Sequence, residues 1–214
     1  MNLNFDFLII GSGLAGLSFA LKAAEFGTVA VVTKREITEA NTSYAQGGIS
    51  GVMDFSTDSF EKHVNDTLEA GAGLNDRAAV EIMVKEGPRL ITDLIDLGVN
   101  FTKKNGQLHL GREGGHSENR VVHAADATGW EVENVMVKNV RKHPNITVFE
   151  HHFAMELLTE HHLGKKVKYL KNVTCFGAYI LDEATETVHR MLAKVTILAS
   201  GGAGAVYAKT TNPD

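Results

Sequence analysis

A glycine-rich segment near the N-terminus constrains the fold more than any other part of the sequence. Gly11, Gly13 and Gly16 form a G-x-G-x-x-G pattern that follows the apolar residues 5–10 and opens a helical apolar spacing over residues 14–26. Glycines at a strand–helix turn allow a tight turn and a close approach of the backbone to a ligand, and the N–H groups at the helix start attract a pyrophosphate. The pattern predicts dinucleotide binding. A glycine-rich turn without a ligand is the alternative.

The apolar spacing elsewhere predicts an α/β, Rossmann-like domain with a parallel sheet, helices and a small β-meander. Buried strands are expected over residues 5–10, 29–33 and 195–199, and the meander over 146–149, 153–158, 167–170 and 177–181. The first helix is expected over residues 14–26, ended by Gly27, and the second runs from a capping box of Asp58 and Glu61 to Gly71. Three more helices are expected over 78–86, 89–97 and 128–142. Pro88 lies beside the first turn of the helix at 89–97. Asn105-Gly106 predicts a tight hairpin turn between strands at 100–102 and 108–110.

Composition argues against several classes of function. The net charge is -5, and the sequence has no dense basic tract, so nucleic-acid binding is not expected. Cys175 is the only cysteine, which excludes an intrachain disulfide and favours a reducing compartment such as the cytoplasm. The N-terminal apolar run is too short for a signal peptide or a membrane span, so no membrane anchor is expected.

The ten histidines raise the question of a metal site. They include the adjacent pairs His151-His152 and His161-His162. Neighbouring residues on a strand point to opposite faces, so neither pair would converge on one ion. The sequence therefore predicts no metal site.

The end of the second predicted strand departs from the usual NAD pattern. An Asp or Glu there would bind the ribose hydroxyls, but the sequence has Lys34, with Glu36 only beyond it. Lys34 is a candidate cofactor ligand, and a solvated surface charge is the alternative. Residues 41–48 carry hydroxyls, amides and glycines that could form many hydrogen bonds with a flavin and its phosphates.

Several ordered motifs resemble the succinate dehydrogenase/fumarate reductase flavoprotein superfamily and, within it, the members that oxidise L-aspartate. Besides the glycine pattern, they are residues 44–48 (YAQGG), 69–73 (EAGAG), 112–117 (REGGHS), 123–129 (HAADATG), 198–204 (LASGGAG) and 211–214 (TNPD). The resemblance covers essentially the whole chain. It implies one FAD-binding domain over residues 1–214, and a chain that stops before the capping and C-terminal helical domains of the family.

The resemblance and the glycine pattern together give a set of candidate FAD-binding residues. Phe153 and Ala154 match a position whose backbone meets the adenine in the family, although a plain core strand is the alternative. The complete set is Gly11, Ser12, Gly13, Leu14, Ala15, Gly16, Lys34, Asn41, Thr42, Ser43, Tyr44, Ala45, Gln46, Gly47, Gly48, Phe153, Ala154, Ser200, Gly201 and Gly202.

Two positions separate the branches of the superfamily. Asn41 stands where the membrane-bound members carry a histidine that binds the flavin covalently, so FAD is expected to be non-covalent. Glu113 stands where the dicarboxylate enzymes typically have Phe. A carboxylate there would suit the ammonium group of an amino acid and would repel succinate. The alternative for Glu113 is a structural ion pair with a neighbour such as Arg112.

The resemblance implies FAD-dependent oxidation of L-aspartate to iminoaspartate, the first step of NAD synthesis through quinolinate, with oxygen or fumarate as electron acceptor. Glu113 would contact the substrate, and the principal acid/base of the family would lie after residue 214. Quinolinate synthase is a candidate partner by pathway alone. The alternative for the whole protein is a soluble fumarate reductase or succinate-oxidising flavoprotein. This chain by itself is expected to be an FAD-binding fragment without turnover, because the capping domain is missing.

Overall fold

A computed structural model describes residues 2–124, 127–166, 168 and 170–210. Within these residues, the helices are α1 (Leu14–Ala23), α2 (Phe60–Ala70), α3 (Arg77–Asp96) and α4 (Thr128–Lys142). The strands in the same residues are β1 (Asn2–Ile10), β2 (Val29–Val32), β3 (Ile49–Ser50), β4 (Lys103–Lys104), β5 (Gln107–Leu108), β6 (Leu110–Gly111), β7 (Val121–Val122), β8 (Ile146–Phe149), β9 (His152–Thr159), β10 (Cys175–Asp182) and β11 (Thr187–Leu198).

The chain divides into two compact units. The first unit comprises Met1–Ser43 and Met136–Asp214, and the second comprises Tyr44–Val135. The division falls within a short 3-10 helix, Asn41–Tyr44, and within α4.

A six-stranded sheet forms the first unit, in the order β8-β2-β1-β11-β10-β9. The pairs among β8, β2, β1 and β11 are parallel, and those among β11, β10 and β9 are antiparallel. Its core cluster consists of alternating apolar side chains of β1, β2, β10 and β11: Leu8, Ile10, Ala30, Val32, Ala178, Ile180 and Met191. The predicted Rossmann-like α/β fold, with its parallel sheet and meander, is confirmed.

The first unit differs from the sequence prediction in its strands. Residues 146–149 were predicted in the meander, but β8 pairs in parallel with β2 at one edge of the sheet. Strand β11 begins at Thr187, well before residue 195, because its whole length pairs with β1 or β10. Of the predicted strand at 167–170, Lys168 and Leu170 are not in a strand, and the other two residues lie outside the described ranges. Local periodicity does not specify these pairings.

Helix α1 ends earlier than predicted. Its last residue is Ala23, and Ala24 caps it in a right-handed conformation. A Cβ on Gly27 would lie 2.5 Å from the Asp6 carboxylate. Gly27 therefore serves a close contact with β1 and is not the helix stop.

Helices α2 and α3 supply the core of the second unit, where Val64 packs against Val80 and Val84. The sequence predicted two helices, but α3 continues through Pro88. A proline inside a helix costs about 3 kcal/mol, since its ring clashes and its N–H is missing. Burial of Val80 and Val84 before Pro88 and of Ile91 after it, on one helix face, favours the continuous helix. Gly87 lacks the Cβ that would clash with the proline ring.

The start of α2 also corrects the prediction. Ser59, not Asp58, is the N-cap, and its hydroxyl accepts a hydrogen bond from the Lys62 N–H at 3.2 Å. The carboxylate of Asp58 is instead bound by Arg120. The capping pattern placed the helix correctly and assigned the wrong residue to the cap.

Two further predictions, for the 105–106 turn and for helix α4, agree with the structure. Asn105 and Gly106 both have positive φ, 54° and 82°, as a type I′ turn requires, and they join β4 to β5. The flanking strands lie closer to the turn than the predicted ones. Helix α4 has the bounds expected from the sequence.

Within the described ranges, no helix combines the length and the apolar character needed to cross a bilayer.

Candidate functional site

A cavity of about 620 Å³ opens in the first unit at the carboxyl ends of β1, β2 and β11, beside the start of α1. Ligands of open parallel sheets bind at such an edge, and the volume falls within the range of small-molecule sites. The lining residues are 10–15, 32–34, 39–42, 152–154 and 199–204.

The three glycines of the pattern have different roles at this edge. Gly11 has a φ of 113°, and a Cβ there would lie 2.2 Å from the Ala199 carbonyl oxygen. A Cβ on Gly16 would lie 2.2 Å from the Gly11 carbonyl oxygen, so Gly16 lets α1 pack against the turn. A Cβ on Gly13 would meet nothing nearer than the Thr42 hydroxyl at 3.5 Å. Packing within the fold is enough to explain why Gly11 and Gly16 are glycines. It does not explain Gly13, and a ligand close to the backbone there would.

Distant hydroxyls fix the glycine-rich turn. The Thr42 Oγ1 accepts a hydrogen bond from the Leu14 N–H at 3.1 Å, in place of a side chain at the N-cap Gly13. The buried Ser12 hydroxyl donates to the Thr33 Oγ1 at 3.2 Å. The first N–H groups of any helix have no partner inside the helix, and they favour an anion such as a pyrophosphate. The edge is therefore preformed for a phosphate-containing ligand.

The structure brings most of the predicted cofactor residues together at this cavity. The predicted residues that line it are Gly11, Ser12, Gly13, Leu14, Ala15, Lys34, Asn41, Thr42, Phe153, Ala154, Ser200, Gly201 and Gly202. Gly16 lies behind the turn, and the Ser43 hydroxyl donates to the Thr38 carbonyl at 2.6 Å. Residues 44–48 belong to the second unit. The cofactor contacts of all these residues stay predictions.

The sequence did not single out three polar residues of the lining, Thr33, Glu39 and His152. The His152 Nδ1 lies 2.7 Å from the Glu150 carbonyl oxygen, so Nδ1 donates this hydrogen bond and Nε2 is left as the acceptor in the neutral ring. None of the three belongs to a motif. Only their positions at strand ends could have indicated them.

In the second unit, the predicted flavin-binding segment contacts the other motifs. The Glu113 Oε1 accepts a hydrogen bond from the Gly48 N–H at 3.3 Å, and the Gly129 N–H donates to the Ala45 carbonyl at 3.0 Å. A Cβ on Gly48 would lie 2.3 Å from the Val122 carbonyl oxygen, so only glycine fits against β7. Three motifs distant in sequence therefore meet here.

The alternative role of Glu113, an ion pair with Arg112, does not occur among the described contacts. The Arg112 guanidinium donates to the Ser117 carbonyl at 3.3 Å. Glu113 is exposed, and its carboxylate lies against the paired glycines. Its negative charge is therefore accessible to a cationic group of a ligand.

His116 of the 112–117 motif and His123 of the 123–129 motif make structural hydrogen bonds. The Arg120 guanidinium can only donate, so the His116 Nδ1 accepts at 3.1 Å and His116 Nε2–H donates to the Ser50 hydroxyl at 3.1 Å. The His123 Nε2 lies 2.9 Å from the His109 Nδ1. Both histidines therefore have structural hydrogen-bond partners.

A buried ionic network anchors the loop that carries Glu113. Arg120, with a fully buried side chain, donates two hydrogen bonds of 2.8 Å to Asp58 and one to Asp66. Asp66 also accepts from the Ser117 N–H and hydroxyl at 2.8 Å. Burial would raise the pKa of Asp66, but the hydrogen bonds from Ser117 and Arg120 outweigh it and lower the pKa to about 2. The network ties the end of the 112–117 loop to α2.

The low pKa of Asp66 predicts acid sensitivity of the second unit. The folded-state pKa of Asp66, about 2, lies below the usual value of 3.8 for an aspartate. The ionised Asp66 carboxylate therefore stabilises the folded state above about pH 4, and this stabilisation is lost as the pH falls towards 2. It contributes about 2 kcal/mol to the free energy of unfolding. We expect Asp66→Asn to remove this part of the pH dependence. Urea unfolding followed by fluorescence of Trp130, the only tryptophan, would measure it, and equal acid slopes for both proteins would contradict the assignment.

Two parts of the predicted motifs lie outside the described residues. They are residues 125–126, in the middle of the 123–129 motif, and residues 211–214.

Known proteins resemble the chain over almost all of its length. L-aspartate oxidase 2-a of Nicotiana tabacum is 50% identical over 210 residues, which are 98% of this chain and 31% of that protein. L-aspartate oxidase 1 of Ralstonia nicotianae is 49% identical over 215 residues, 99% of this chain and 39% of that protein. A solved structure of an E. coli quinol fumarate reductase variant matches with a TM-score of 0.90 at 28% identity, covering 100% of this chain and 35% of that one.

The chain thus spans about a third of the length of these relatives. The sequence family described as FAD binding domain matches residues 6–214. That match includes the glycine-rich turn, both units and the strands that line the cavity, so the chain belongs to the FAD-binding domain family, whose cofactor is FAD.

Proposed function

We propose that this chain is the FAD-binding part of an L-aspartate oxidase, which oxidises L-aspartate to iminoaspartate. The observation that carries the proposal is the exposed Glu113 carboxylate held against the Gly47-Gly48 pair. The similarity to two enzymes named L-aspartate oxidase supports the same function.

The residues around the cavity fit FAD. The start of α1 with Gly13 would hold the pyrophosphate, since a helix N-terminus favours an anion and Gly13 leaves room for it. Phe153 and Ala154 would line the adenine end, and Lys34 would contact the adenosine or phosphate portion. Asn41 lines the same cavity, and its amide cannot form the covalent flavin link of a histidine. Binding is therefore non-covalent in this proposal.

Glu113 would select the amino acid. Among the described contacts, the partner of the Glu113 carboxylate is the neutral Gly48 N–H, not a cationic side chain. A carboxylate without a cationic partner favours an ammonium group and disfavours a substrate with carboxylates alone. Hydrogen bonds to charged groups contribute about 1.5–3 kcal/mol, so loss of this contact would weaken aspartate binding roughly 10-fold or more.

When bound, FAD supplies the redox chemistry by accepting a hydride from the substrate Cα. The chain's own contribution is binding and orientation. Glu113 would hold the ammonium group, and the Arg120 network would keep the loop of Glu113 in place. In this proposal, parts of the enzyme that this chain does not include would supply the principal acid/base and most contacts to the substrate carboxylates.

The proposal also covers the electron acceptor, the enzyme that uses the product and the cellular compartment. Oxygen or fumarate would be the electron acceptor, and quinolinate synthase would use the product. We place the protein in the cytoplasm, because a single cysteine fits a reducing compartment. The name of the tobacco relative assigns that protein to the chloroplast.

The similarity to a quinol fumarate reductase supports a second candidate, a flavoprotein that acts on fumarate or succinate. Glu113 disfavours it, because its carboxylate would repel a dicarboxylate that lacks the ammonium group of aspartate. For this chain alone, a third candidate is FAD binding without turnover, since it spans only about a third of its relatives.

Anaerobic reduction of the bound flavin tests the three candidates. L-aspartate or succinate is added to the FAD-loaded protein while the visible flavin absorbance is recorded. We expect aspartate to bleach the flavin of the whole enzyme and succinate to have little effect. This chain alone, which in this proposal lacks the principal acid/base, should bind FAD without bleaching. Bleaching by succinate alone would favour the second candidate, bound but unbleached FAD the third, and no bound FAD would contradict the cofactor assignment.

The Glu113→Gln variant tests the selecting residue in the same assay. We expect it to require roughly 10-fold more aspartate, in line with the loss of a charged hydrogen bond. Glu118→Gln is a matched control in the same region, because Glu118 is paired with Lys62 at 2.6 Å. An equal effect of both substitutions would count against a specific role of Glu113.

A further inference from the structure

Two adjacent histidines and a glutamate converge near the end of β9 in the first unit. Glu156 belongs to β9, and His161 and His162 belong to the 3-10 helix Glu160–Leu163 that follows. The His161 Nε2 lies 3.2 Å from Glu156 Oε1, and the His162 Nε2 lies 3.4 Å from Glu156 Oε2. The sequence argument against a metal assumed that the histidines alternate on a strand, and in this helix they do not.

The spacing of these atoms matches a metal coordination shell. Tetrahedral Zn²⁺ has ligand bonds of about 2.0–2.1 Å, which places neighbouring ligand atoms about 3.3–3.4 Å apart. Each histidine nitrogen lies at about that distance from a different Glu156 oxygen, His161 Nε2 from Oε1 at 3.2 Å and His162 Nε2 from Oε2 at 3.4 Å. One ligand atom from each of the three residues lies within 4.8 Å of the others. A rotation of the Glu156 carboxylate would bring one of its oxygens towards both nitrogens.

The backbone of the site is well anchored. Both Glu160 carboxylate oxygens accept a hydrogen bond from the Thr174 N–H at 2.9 Å, and Gly164 ends the turn with a φ of 76°. Glu160 is itself buried, so it holds the turn and leaves Glu156 as the carboxylate available to an ion. Part of the ordering that binding requires is already present in the fold.

Hydrogen bonds also orient the histidine rings. The Thr159 hydroxyl lies 2.9 Å from the His161 Nδ1, so Nδ1–H can donate to it and leave the Nε2 lone pair facing Glu156. The His162 Nδ1 accepts from the Thr159 N–H at 3.3 Å. Metal binding at the His162 Nε2 would transfer that ring's proton to Nδ1 and give up this long hydrogen bond. Such a loss costs about 1 kcal/mol, which is small against a metal–ligand bond.

The geometry points to a Zn²⁺ site formed by Glu156, His161 and His162, with water in the fourth position. Two imidazoles and one carboxylate suit Zn²⁺, whereas Mg²⁺ and Ca²⁺ prefer oxygen ligands alone. The Glu156 and His161 side chains are 55% and 43% exposed, so an ion can reach the site from water. The bound ion would join β9 to the turn that follows it.

Titration of chelator-treated, purified protein with Zn²⁺ alone, by calorimetry, tests the site. We expect one Zn²⁺ per chain and weakening of roughly 100-fold or more in His161→Ala and in His162→Ala, since even outer-shell partners contribute about 10–100-fold. Glu156→Gln should weaken binding in the same direction. Co²⁺ should give the strong visible absorption of a tetrahedral site, and it should do so only while both histidines are present.

His151→Ala is the matched control. His151 is a half-exposed histidine that contacts Glu36 at 3.4 Å, so this substitution also removes one histidine beside a carboxylate. It should leave the Zn²⁺ affinity unchanged, and circular dichroism should show every variant folded. Absence of stoichiometric binding, or binding that survives in His161→Ala and His162→Ala, would overturn the proposal.

Discussion

Alanine in place of Gly13 should weaken FAD binding while leaving the fold almost as stable as before. Gly13 has a φ of -69° and a ψ of 175°, which any residue adopts. A Cβ there would make only ordinary contacts, at 3.5 Å from the Thr42 hydroxyl and 3.9 Å from Ala40. The methyl group would fill the space in which a pyrophosphate approaches the start of α1. Overpacking of this kind costs about 1–3 kcal/mol, which corresponds to roughly 5- to 150-fold in affinity.

Gly16→Ala is the matched comparison, because it adds the same methyl group one turn along the helix. There the Cβ would lie 2.2 Å from the Gly11 carbonyl oxygen, so α1 must move away from the strand. We expect a loss of about 1–3 kcal/mol in unfolding free energy for Gly16→Ala, and of no more than about 1 kcal/mol for Gly13→Ala. Thermal unfolding of the FAD-free proteins and flavin fluorescence titrations measure the two quantities. Wild-type affinity in Gly13→Ala would place the pyrophosphate elsewhere.

The elements that could be predicted from the sequence are those with a local cause. Helix α4 carries an apolar stripe of its own, and Pro144 follows shortly after its last residue. The Asn105-Gly106 turn needs two residues that tolerate positive φ, and these two do. The strand–helix–strand start of the first unit is likewise specified within about thirty residues, as is usual for such a unit.

The wrong predictions share a dependence on residues distant in sequence. Pro88 would normally end a helix, and it does not because the stripe of Val84 and Ile91 is buried on both sides of it. Asp58 has the right position for a cap, but Arg120, 62 residues later, binds its carboxylate. The pairing of β8 with β2 places residues 146–149 in the parallel part of the sheet. No local pattern contains these partners.

The candidate site also combines features that the local sequence predicts with contacts between residues distant in sequence. The glycine pattern located the turn, and the structure places Phe153, Ala154 and residues 200–202 around the same cavity. The Thr42 cap on the Leu14 N–H joins residues 28 positions apart, and the contact between Glu113 and Gly48 joins residues 65 positions apart. A motif identifies which residues carry chemistry, and only the fold shows which of them meet.

Replacing Arg120 with Met should destabilise the second unit by about 3–5 kcal/mol, because it leaves a buried charge without its partner. The side chains of Arg120 and Asp58 are 0% and 1% exposed. Burial would raise the pKa of Asp58, but hydrogen bonds from Arg120 and from the Ser59 N–H keep it below its usual value. Without Arg120, the carboxylate must either stay charged in an apolar environment or bind a proton at neutral pH. Both outcomes lower the unfolding free energy.

Arg89→Met is a matched control on the surface of α3. Arg89 also binds two carboxylates, Glu86 at 2.7 Å and Asp93 at 2.9 Å, but its side chain is 56% exposed. Exposed ion pairs contribute about 0–1 kcal/mol, so this variant should unfold at nearly the same urea concentration as the wild type.

Combining Arg120→Met with Asp58→Leu tests whether the unpaired Asp58 charge causes the loss of stability. If the unpaired charge is responsible, the double variant should recover stability relative to Arg120→Met alone, since replacing a buried ion pair with apolar side chains is often close to neutral. Equal losses for Arg120→Met and Arg89→Met, or a double variant whose loss is the sum of the single ones, would show that the buried pair does not stabilise the unit. The loop of Glu113 is tied to α2 through Asp66 and Ser117, so Arg120→Met should also raise the aspartate concentration needed for half-maximal flavin reduction.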